Sequence, residues 1–227
     1  MTVALVTGAN RGIGHETARQ LVERGHDVYI GARSAERGVP AAAAIGARFV
    51  QLDVTDDASV QAALEEIDHV EGRLDVLVNN AGVLETEPSG PAALRAFDTN
   101  AVGIVRVTEA ALPLLRRSAA PTVVTISSSA GSFWAVTNPE RPEYGLVAPL
   151  YSASKAAATM LTLQYAKAYP EIRFNALEPG TTATGLTAGL GIGRPAEESA
   201  RAVVELVTLG ANGPTGTLRD EVGSLPW

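Results

Sequence analysis

The sequence predicts an α/β fold, with a doubly wound parallel sheet of about seven strands and helices on both faces. Short apolar runs alternate with longer helical stretches along nearly the whole chain, which is the rhythm of strand–helix–strand units. The apolar runs show little polar alternation, as expected of strands buried on both faces of a parallel sheet. The chain has 227 residues, and we expect residues 1–227 to form a single domain.

The elements are predicted from apolar periodicity and from the glycines that interrupt it. The first strand is expected at Val3–Thr7, followed by a helix with apolar residues at Ala18, Leu21 and Val22 that ends at Gly25. Later strands are expected at 28–31, 48–52, 74–78, 122–126 and 172–177, and a weaker one at 216–218. Helices are expected near 56–70, 91–117, 151–168 and 195–209, and the alanine run 41–44 on a helix that packs against the sheet.

Composition argues against several classes of function. The formal net charge is -7 with no long Lys/Arg run, so we expect no binding to nucleic acid or to an anionic membrane. The chain has no cysteine, and His15, His26 and His69 are too far apart in sequence to form a metal-ligand pattern. No apolar run approaches the ~18 residues of a membrane span. The N-terminus does not resemble a signal peptide, so we expect a cytoplasmic protein.

A glycine-rich loop lies between the first strand and the first helix. Gly8 would allow a sharp turn, Gly12 would let the backbone approach a pyrophosphate, and Gly14 would let helix and strand pack closely. The helix N-terminus would present N–H groups and partial positive charge to the phosphates. An ordinary glycine-rich turn is the alternative, but the position between strand and helix favours a dinucleotide site.

The spacing of Thr7–Gly14 resembles the cofactor loop of short-chain dehydrogenases/reductases. Further motifs of that family follow in the expected order: Asp53-Val54, Asn79-Asn80-Ala81-Gly82, Asn100, Ser127-Ser128, Tyr151-Ser152-Ala153-Ser154-Lys155 and Pro179-Gly180. The resemblance covers nearly the whole chain. It implies a single-domain Rossmann fold and hydride transfer between NADP(H) and a carbonyl or alcohol substrate.

The catalytic residues are expected to be Asn100, Ser128, Tyr151 and Lys155. Tyr151 and Lys155 are four residues apart, so they share one helix face. The lysine, with the oxidised nicotinamide, is expected to lower the phenol pKa from its usual value of about 10 and suit it to acid–base catalysis. Ser128 follows the fifth strand and could hydrogen-bond the substrate oxygen; the resemblance favours it within the serine run, and implies that Asn100 supports a water chain to Lys155. Tyr144 has no lysine four residues later, and is expected to be structural or substrate-facing.

The remaining cofactor contacts are implied by the same resemblance. Asp53 would bind the adenine amine, Val54 would contribute its backbone, and residues 80–82 would line the adenosine side, although Asn80 and Gly82 also suit a tight turn. Residues 179–184 would hold the carboxamide and the pyrophosphate. The full set of expected cofactor contacts is Gly8, Asn10, Arg11, Gly12, Ile13, Gly14, Arg33, Ser34, Asp53, Val54, Asn80, Ala81, Gly82, Tyr151, Lys155, Pro179, Gly180, Thr182 and Thr184.

The end of the second strand predicts a preference for NADP(H). An NAD enzyme commonly places an acid there to bind the ribose 2′-hydroxyl, whereas this chain has Arg33 followed by Ser34. A guanidinium attracts a 2′-phosphate and can bind it with a planar set of donors, and Arg11 is a second candidate. An NAD-dependent alcohol dehydrogenase and a non-catalytic dinucleotide sensor remain as alternatives.

Two segments bear on the substrate and on assembly. Residues 129–150 separate Ser128 from Tyr151 by about ten residues more than in many family members. The aromatic side chains of this insertion either line the pocket or pack the insertion down. Residues 185–193 are glycine-rich and apolar, as in a mobile lid, so an apolar carbonyl or alcohol substrate is expected. Family members often pair through helices like those near 91–117 and 151–168, which predicts a homodimer or homotetramer. The apolar C-terminus, 222–227, would pack on a neighbour or on its own subunit.

Overall fold

A computed structural model of the chain describes residues 2–185 and 193–227. Its seven strands form one parallel sheet in the order β3-β2-β1-β4-β5-β6-β7. The strands are β1 Val3–Thr7, β2 Asp27–Ala32, β3 Arg48–Gln51, β4 Val76–Asn79, β5 Thr122–Ile126, β6 Arg173–Leu177 and β7 Thr217–Arg219. The predicted doubly wound Rossmann fold is confirmed.

The helices cover both faces of this sheet. They are α1 Gly12–Glu23, α2 Ala35–Ile45, α3 Asp57–Glu71, α4 Gly90–Phe97, α5 Gly103–Leu115, α6 Phe133–Thr137, α7 Pro149–Ala168 and α8 Ala196–Thr208. Helices α3, α5 and α7 pack in one apolar cluster, and α1, α2 and α8 in a second. Within β1, Val3 and Leu5 belong to the first cluster and Ala4 and Val6 to the second. The strand is apolar throughout because its alternating side chains enter two cores.

The strand order reverses beside β1, which pairs with β2 on one side and β4 on the other. Loops leaving β1 and β4 at their carboxyl ends therefore diverge and open a crevice, the usual ligand position in such sheets. Thr7 joins the two loops: its hydroxyl accepts the N–H groups of Asn80 and Ala81, both at 3.0 Å. The Asn80 side chain in turn donates to the Thr7 carbonyl at 2.8 Å.

Two predicted segments differ in detail. The helix expected near 91–117 is interrupted by a π-helical turn, Asp98–Val102, between α4 and α5. Asn100 therefore lies in a π-helical turn, within the stretch that was expected to form one continuous helix. Its side chain makes both backbone hydrogen bonds with Val83, at 2.8 and 2.9 Å. Such turns break helical regularity and often occur at functional sites. The insertion forms α6 and a 3₁₀ turn, Pro142–Gly145, which periodicity did not predict because both are short.

Neither a membrane-spanning helix nor a metal-binding cluster occurs among the described residues. None of the described helices combines the length and the apolar character needed to cross a bilayer. Residues 2–185 and 193–227 contain no group of three or more His, Asp or Glu side chains placed to hold a metal ion.

Candidate active site

The glycine loop after β1 forms a backbone cradle. Gly8 and Gly12 have φ of 65° and 63°, values that favour glycine. A Cβ at Gly8 would lie 2.9 Å from the Ala81 Cα, and one at Gly14 would lie 2.3 Å from the Asn80 amide nitrogen. These contacts require glycine for the close approach of β1, α1 and the loop after β4. The cradle has the form that a dinucleotide pyrophosphate requires.

The first turn of α1 adjoins this cradle. Arg11 is the N-cap residue, with extended backbone and no side-chain capping bond. The first N–H groups of a helix have no intrahelical partner, so this turn can serve an anion. Ile13 packs against the second apolar cluster, Asn10 is half-buried and Arg11 is exposed. The structure thus places all three beside the cradle, with Ile13 anchoring the helix.

The carboxyl end of β2 is rich in cations. Arg33 follows the last residue of β2 and is exposed, and Ser34 is the uncapped N-cap residue of α2. Arg37, in the first turn of α2, adds a second exposed guanidinium that sequence reasoning missed, although its spacing of four from Arg33 was a signal. Neither arginine forms an ion pair within residues 2–185 and 193–227. Glu36 is the acid of this turn.

Asp53, Val54 and Asn80, expected on the adenosine side of the cofactor, all make contacts within the protein. The Asp53 carboxylate accepts the backbone N–H and the hydroxyl of Thr55, at 3.0 and 2.7 Å, and Val54 is buried against Gly103. The side-chain amide of Asn80 is engaged by the β1 backbone, so the geometry favours the structural alternative for this residue.

Four side chains meet where β4, β5 and α7 approach one another. The Ser128 side chain borders the Tyr151 phenol and acts to lower its pKa, and the Ser128 hydroxyl accepts the Ala130 N–H at 3.2 Å. Lys155, nearly fully buried, donates to the Ile126 carbonyl at 2.7 Å, and its Nζ lies 5.9 Å from the Tyr151 ring centre. The Asn100 amide donates to the Ser154 hydroxyl at 2.9 Å. Asn100 therefore holds the helix turn that carries Lys155, and all four expected catalytic residues come together.

Glycines permit this convergence as well. A Cβ at Gly131 would lie 2.6 Å from the Ala156 nitrogen, so the loop after β5 rests directly on the α7 backbone. A Cβ at Gly82 would lie 3.3 Å from the Asn100 Oδ1 and 3.7 Å from the Lys155 Nζ. Gly82, in the loop after β4, therefore borders the side chains of Asn100 and Lys155. Glycine at both positions keeps the three segments in contact.

Burial dominates the electrostatics of this group. It raises the pKa of Tyr151 to about 12, against the opposing hydrogen bond from Ser128, and it lowers the pKa of Lys155 to about 8. The expected lowering of the tyrosine pKa is therefore not what the protein groups produce, because desolvation of the phenolate outweighs the stabilisation. The protein groups favour a neutral phenol, which is the form that donates a proton.

Glu178 is a neighbour that sequence reasoning missed. Its carboxylate accepts the N–H of Ser129 at 2.5 Å and the N–H of Gly180 at 2.7 Å. Its negative charge raises the pKa of both Tyr151 and Lys155. At Tyr151 this adds to the effect of burial, and at Lys155 it opposes the effect of burial. The only signal in the sequence was its position immediately before Pro179-Gly180, at the carboxyl end of β6.

The segment after β6 returns to the glycine loop. Gly180 adopts φ of 75°, and Thr184 lies beside Gly12, where a Cβ would be 3.3 Å from its methyl carbon. Thr182 is buried, and its hydroxyl bonds the Gly180 carbonyl and the Ser199 hydroxyl of α8. Thr184 thus borders the cradle as expected, whereas Thr182 faces the core. The rest of the predicted lid, 186–192, lies outside the described residues.

The insertion is joined to the end of its own chain. The Ser132 hydroxyl donates to the Pro226 carbonyl at 2.7 Å, and the Trp134 N–H donates to the Trp227 carbonyl at 2.9 Å. The Arg141 guanidinium lies 5.6 Å from the Trp134 ring centre. Of the two alternatives for the C-terminus, packing on its own subunit is the one observed. Phe133 remains 73% exposed.

Comparison with known proteins agrees with this geometry. The family model for short chain dehydrogenases matches residues 2–194. The chain belongs to the short-chain dehydrogenase/reductase family. The match supports an oxidoreductase of that family, and the resemblance inferred from the sequence motifs is confirmed.

Individual relatives span almost the full length of this family member. A short-chain dehydrogenase/reductase of Stachybotrys chlorohalonatus is 34% identical, covering 99% of this chain and 94% of its own. The (-)-isopiperitenone reductase of Mentha piperita is 33% identical, with 94% of each chain covered. Among solved structures, the NADPH-bound carbonyl reductase from chicken fatty liver superposes with a TM-score of 0.89, at 26% identity and full coverage of both chains.

Proposed function

We propose that this family member is an NADP(H)-dependent carbonyl reductase, with residues 1–227 acting as one dinucleotide-binding catalytic domain. The observation that carries the proposal is the convergence of Ser128, Tyr151 and Lys155: the buried Lys155 Nζ lies 5.9 Å from the Tyr151 ring centre, and Ser128 borders the phenol. A substrate oxygen placed between two hydroxyls can receive a hydrogen bond from one and a proton from the other.

The residues of the crevice fit a dinucleotide. The cradle of Gly8, Gly12 and Gly14 would hold the pyrophosphate, and Asp53 at the end of β3 would bind the adenine. Arg33 and Arg11 are exposed cations suited to a 2′-phosphate, which favours NADP(H) over NAD(H). When bound, the cofactor supplies the hydride. Solved structures of similar proteins in complex with NADPH or NADP, such as an actinorhodin polyketide ketoreductase with NADPH, support this choice.

In the reductive direction, Tyr151 donates its phenolic proton to the carbonyl oxygen as hydride reaches the carbon, and an alcohol forms. Ser128 hydrogen-bonds that oxygen and stabilises the negative charge that develops on it. Lys155 then favours the phenolate by its charge and supplies a proton that restores the phenol. Asn100 positions Lys155 through Ser154. The neutral phenol favoured by burial is the starting state for this sequence.

We further propose an apolar substrate. Phe133, Trp134 and Tyr144 of the insertion are all at least partly exposed, next to the loop that carries Ser128. Apolar side chains on such a loop can bury the body of an apolar ketone or aldehyde while polar groups orient its oxygen. Relatives that include salutaridine reductase of Papaver bracteatum and (-)-isopiperitenone reductase of Mentha piperita are reductases, in line with the proposed direction of reaction.

The test is steady-state turnover of a panel of small, aliphatic and aromatic carbonyl compounds with NADPH, in the parent and in Tyr151→Phe. We expect Tyr151→Phe to lose ~10²–10⁴-fold in kcat, the usual contribution of general acid catalysis. NADPH affinity should stay within a few-fold, because only the hydroxyl is removed.

Tyr169→Phe is the matched control. It removes a phenol hydroxyl at the opposite end of α7 from Tyr151, and turnover should stay close to that of the parent. The mechanism would be wrong if Tyr151→Phe kept more than about a tenth of the parent rate. Failure of every carbonyl in the panel, together with tight NADPH binding, would instead favour the non-catalytic sensor.

A further inference from the structure

We propose that Glu178 is a positioning residue that ties the Ser128 loop to the Pro179-Gly180 turn and biases the site toward carbonyl reduction. The inference rests on the proposed function, since it concerns the direction of that reaction. It assigns a role to a carboxylate that the four catalytic residues leave out.

Two short backbone hydrogen bonds to the Glu178 carboxylate connect the Ser128 loop to the Pro179-Gly180 turn. One oxygen accepts from Ser129, the residue after Ser128, and the other from Gly180, at 2.5 and 2.7 Å. Hydrogen bonds of backbone N–H groups to a charged acceptor are stronger than neutral ones. Glu178 therefore links the ends of β5 and β6 on either side of the place where Tyr151 projects from α7.

The charges around Glu178 leave its effect on the site intact. Within the described ranges Glu178 forms no ion pair. The Arg194 guanidinium packs against Gly180 of the turn after Glu178, but it donates to the Pro179 carbonyl and pairs with Glu221. From the insertion, Glu143 faces the Ser129 hydroxyl; burial would raise its pKa, but hydrogen bonds from Ser129 and Arg141 lower it.

From α7, Tyr151 and Lys155 are the groups that respond to this carboxylate. A negative charge disfavours phenolate at Tyr151 and favours ammonium at Lys155, so both groups hold their protons more strongly. A protonated phenol is required to reduce a carbonyl and must be lost to oxidise an alcohol. The same charge attracts the cationic oxidised nicotinamide more than the neutral reduced one. Glu178 thus opposes the loss of the phenolic proton that alcohol oxidation requires, and separately it favours binding of the oxidised cofactor over the reduced one.

The experiment compares the parent with Glu178→Gln, which removes the charge and keeps the shape. The pH profile of kcat/KM for alcohol oxidation is measured with NADP⁺, and the Kd values of NADP⁺ and NADPH are measured by binding. In Glu178→Gln, we expect the acidic limb of the kcat/KM profile for oxidation to shift to lower pH by about half to one pH unit. The affinity for NADP⁺ relative to NADPH should fall about three- to tenfold, which is the same change in electrostatic free energy.

Two further variants separate charge from position. Glu178→Asp keeps the charge and shortens the tie, so it should restore the parent's pH limb and affinity ratio even where kcat falls. Glu205→Gln removes an exposed carboxylate from α8 and should change neither quantity. A Glu178→Gln variant that fails to fold leaves the Glu178→Asp comparison, in which a displaced limb would overturn the charge effect.

The results also distinguish this inference from the proposed function. If the parent neither binds NADPH nor reduces any carbonyl, the proposed function fails. If the parent is active but Glu178→Gln keeps the parent's pH limb and NADP⁺/NADPH ratio, the role of Glu178 alone is wrong.

Discussion

The surroundings of Lys155 oppose its ionisation. Its ammonium is almost fully buried, with the Ile126 carbonyl as its hydrogen-bond acceptor, and burial lowers its pKa from 10.5 to about 8. Because the folded protein binds this proton less tightly than the unfolded chain does, the charged form destabilises the fold below pH 8. That penalty is relieved as pH rises from about 8 toward 10.5.

We therefore predict that Lys155→Met, although inactive, is more stable than the parent at pH 7. The shift in pKa corresponds to roughly 3 kcal/mol at 1.36 kcal/mol per unit, and loss of the bond to Ile126 offsets part of it, so about 1–2 kcal/mol is expected. Urea unfolding at pH 7 and pH 9.5 measures this. The parent should gain stability across that interval and the variant should not.

The other lysine of the same helix provides the control. Lys167 is exposed near the end of α7, so Lys167→Met should leave both the stability at pH 7 and its dependence on pH nearly unchanged. Equal stability of Lys155→Met and the parent at both pH values would contradict the burial argument.

Arg33 decides cofactor choice in the proposed function. We predict that the parent prefers NADPH over NADH by at least about tenfold in kcat/KM, since one charge-assisted hydrogen bond contributes about 1.5–3 kcal/mol and ~1.4 kcal/mol is tenfold. Arg33→Asp should reduce or reverse that preference by repelling the 2′-phosphate. Both cofactors are to be compared on one carbonyl substrate.

The same charge change at the amino end of β2, opposite to Arg33 at its carboxyl end, is the control. Arg24 follows α1 and is exposed, so Arg24→Asp should keep the parent's ratio. Equal use of both cofactors by the parent, or an unaltered ratio in Arg33→Asp, would exclude Arg33 as the phosphate-binding residue. Arg37 would then be the next candidate.

At the scale of elements, the glycines determine how closely the loops can approach the helices. A methyl group on Gly14 would collide with Asn80, whose amide already serves the backbone of β1. We predict that Gly14→Ala lowers the free energy of unfolding by about 1–3 kcal/mol, as overpacking does, and weakens NADPH binding by displacing the cradle. Urea unfolding and cofactor titration measure the two effects.

Gly90→Ala is the matched control for this element. Gly90 begins α4, and a Cβ there would meet nothing within 4 Å. The substitution should be neutral or stabilising by up to about 1 kcal/mol, because alanine loses less entropy in a helix. Similar losses in both variants would show that glycine at position 14 is not required by packing.

At the scale of the whole molecule, the apolar residues left on the surface bear on assembly. Leu94, Val102 and Met160, from α4 to α7, are each at least 43% exposed, on the helices expected to pair. We predict a homodimer or homotetramer, visible by light scattering at micromolar concentration. Met160→Glu should shift the mass toward one chain.

Val222, in the C-terminal segment 222–227, is 90% exposed and separates the two candidate surfaces. Val222→Glu should leave the mass unchanged if the helices pair, and should dissociate the assembly if the C-terminus does. A parent mass equal to one chain would refute the oligomer. The insertion would then be a candidate for what shields the helix face.

The sequence by itself determined the order of strands and helices, the glycine cradle and the Tyr151–Lys155 pair. These depend on local periodicity and on spacings within one element, which a linear chain states directly. It also proposed Asn100 and Ser128 through the family motifs, although it could not show the π turn that aims Asn100 at Val83. Similarly, it left the role of Asn80 open between cofactor and fold.

Tertiary structure alone decided the contacts between residues far apart in the chain. Of three consecutive serines, Ser127 bonds Lys155 and Thr159, Ser129 bonds Glu178, and only Ser128 faces the phenol. Glu178 entered the site from a position 49 residues away from Ser129. The pKa values of Tyr151 and Lys155 were likewise decided by burial, because desolvation depends on every element packed around a group, and no local pattern in the sequence records it.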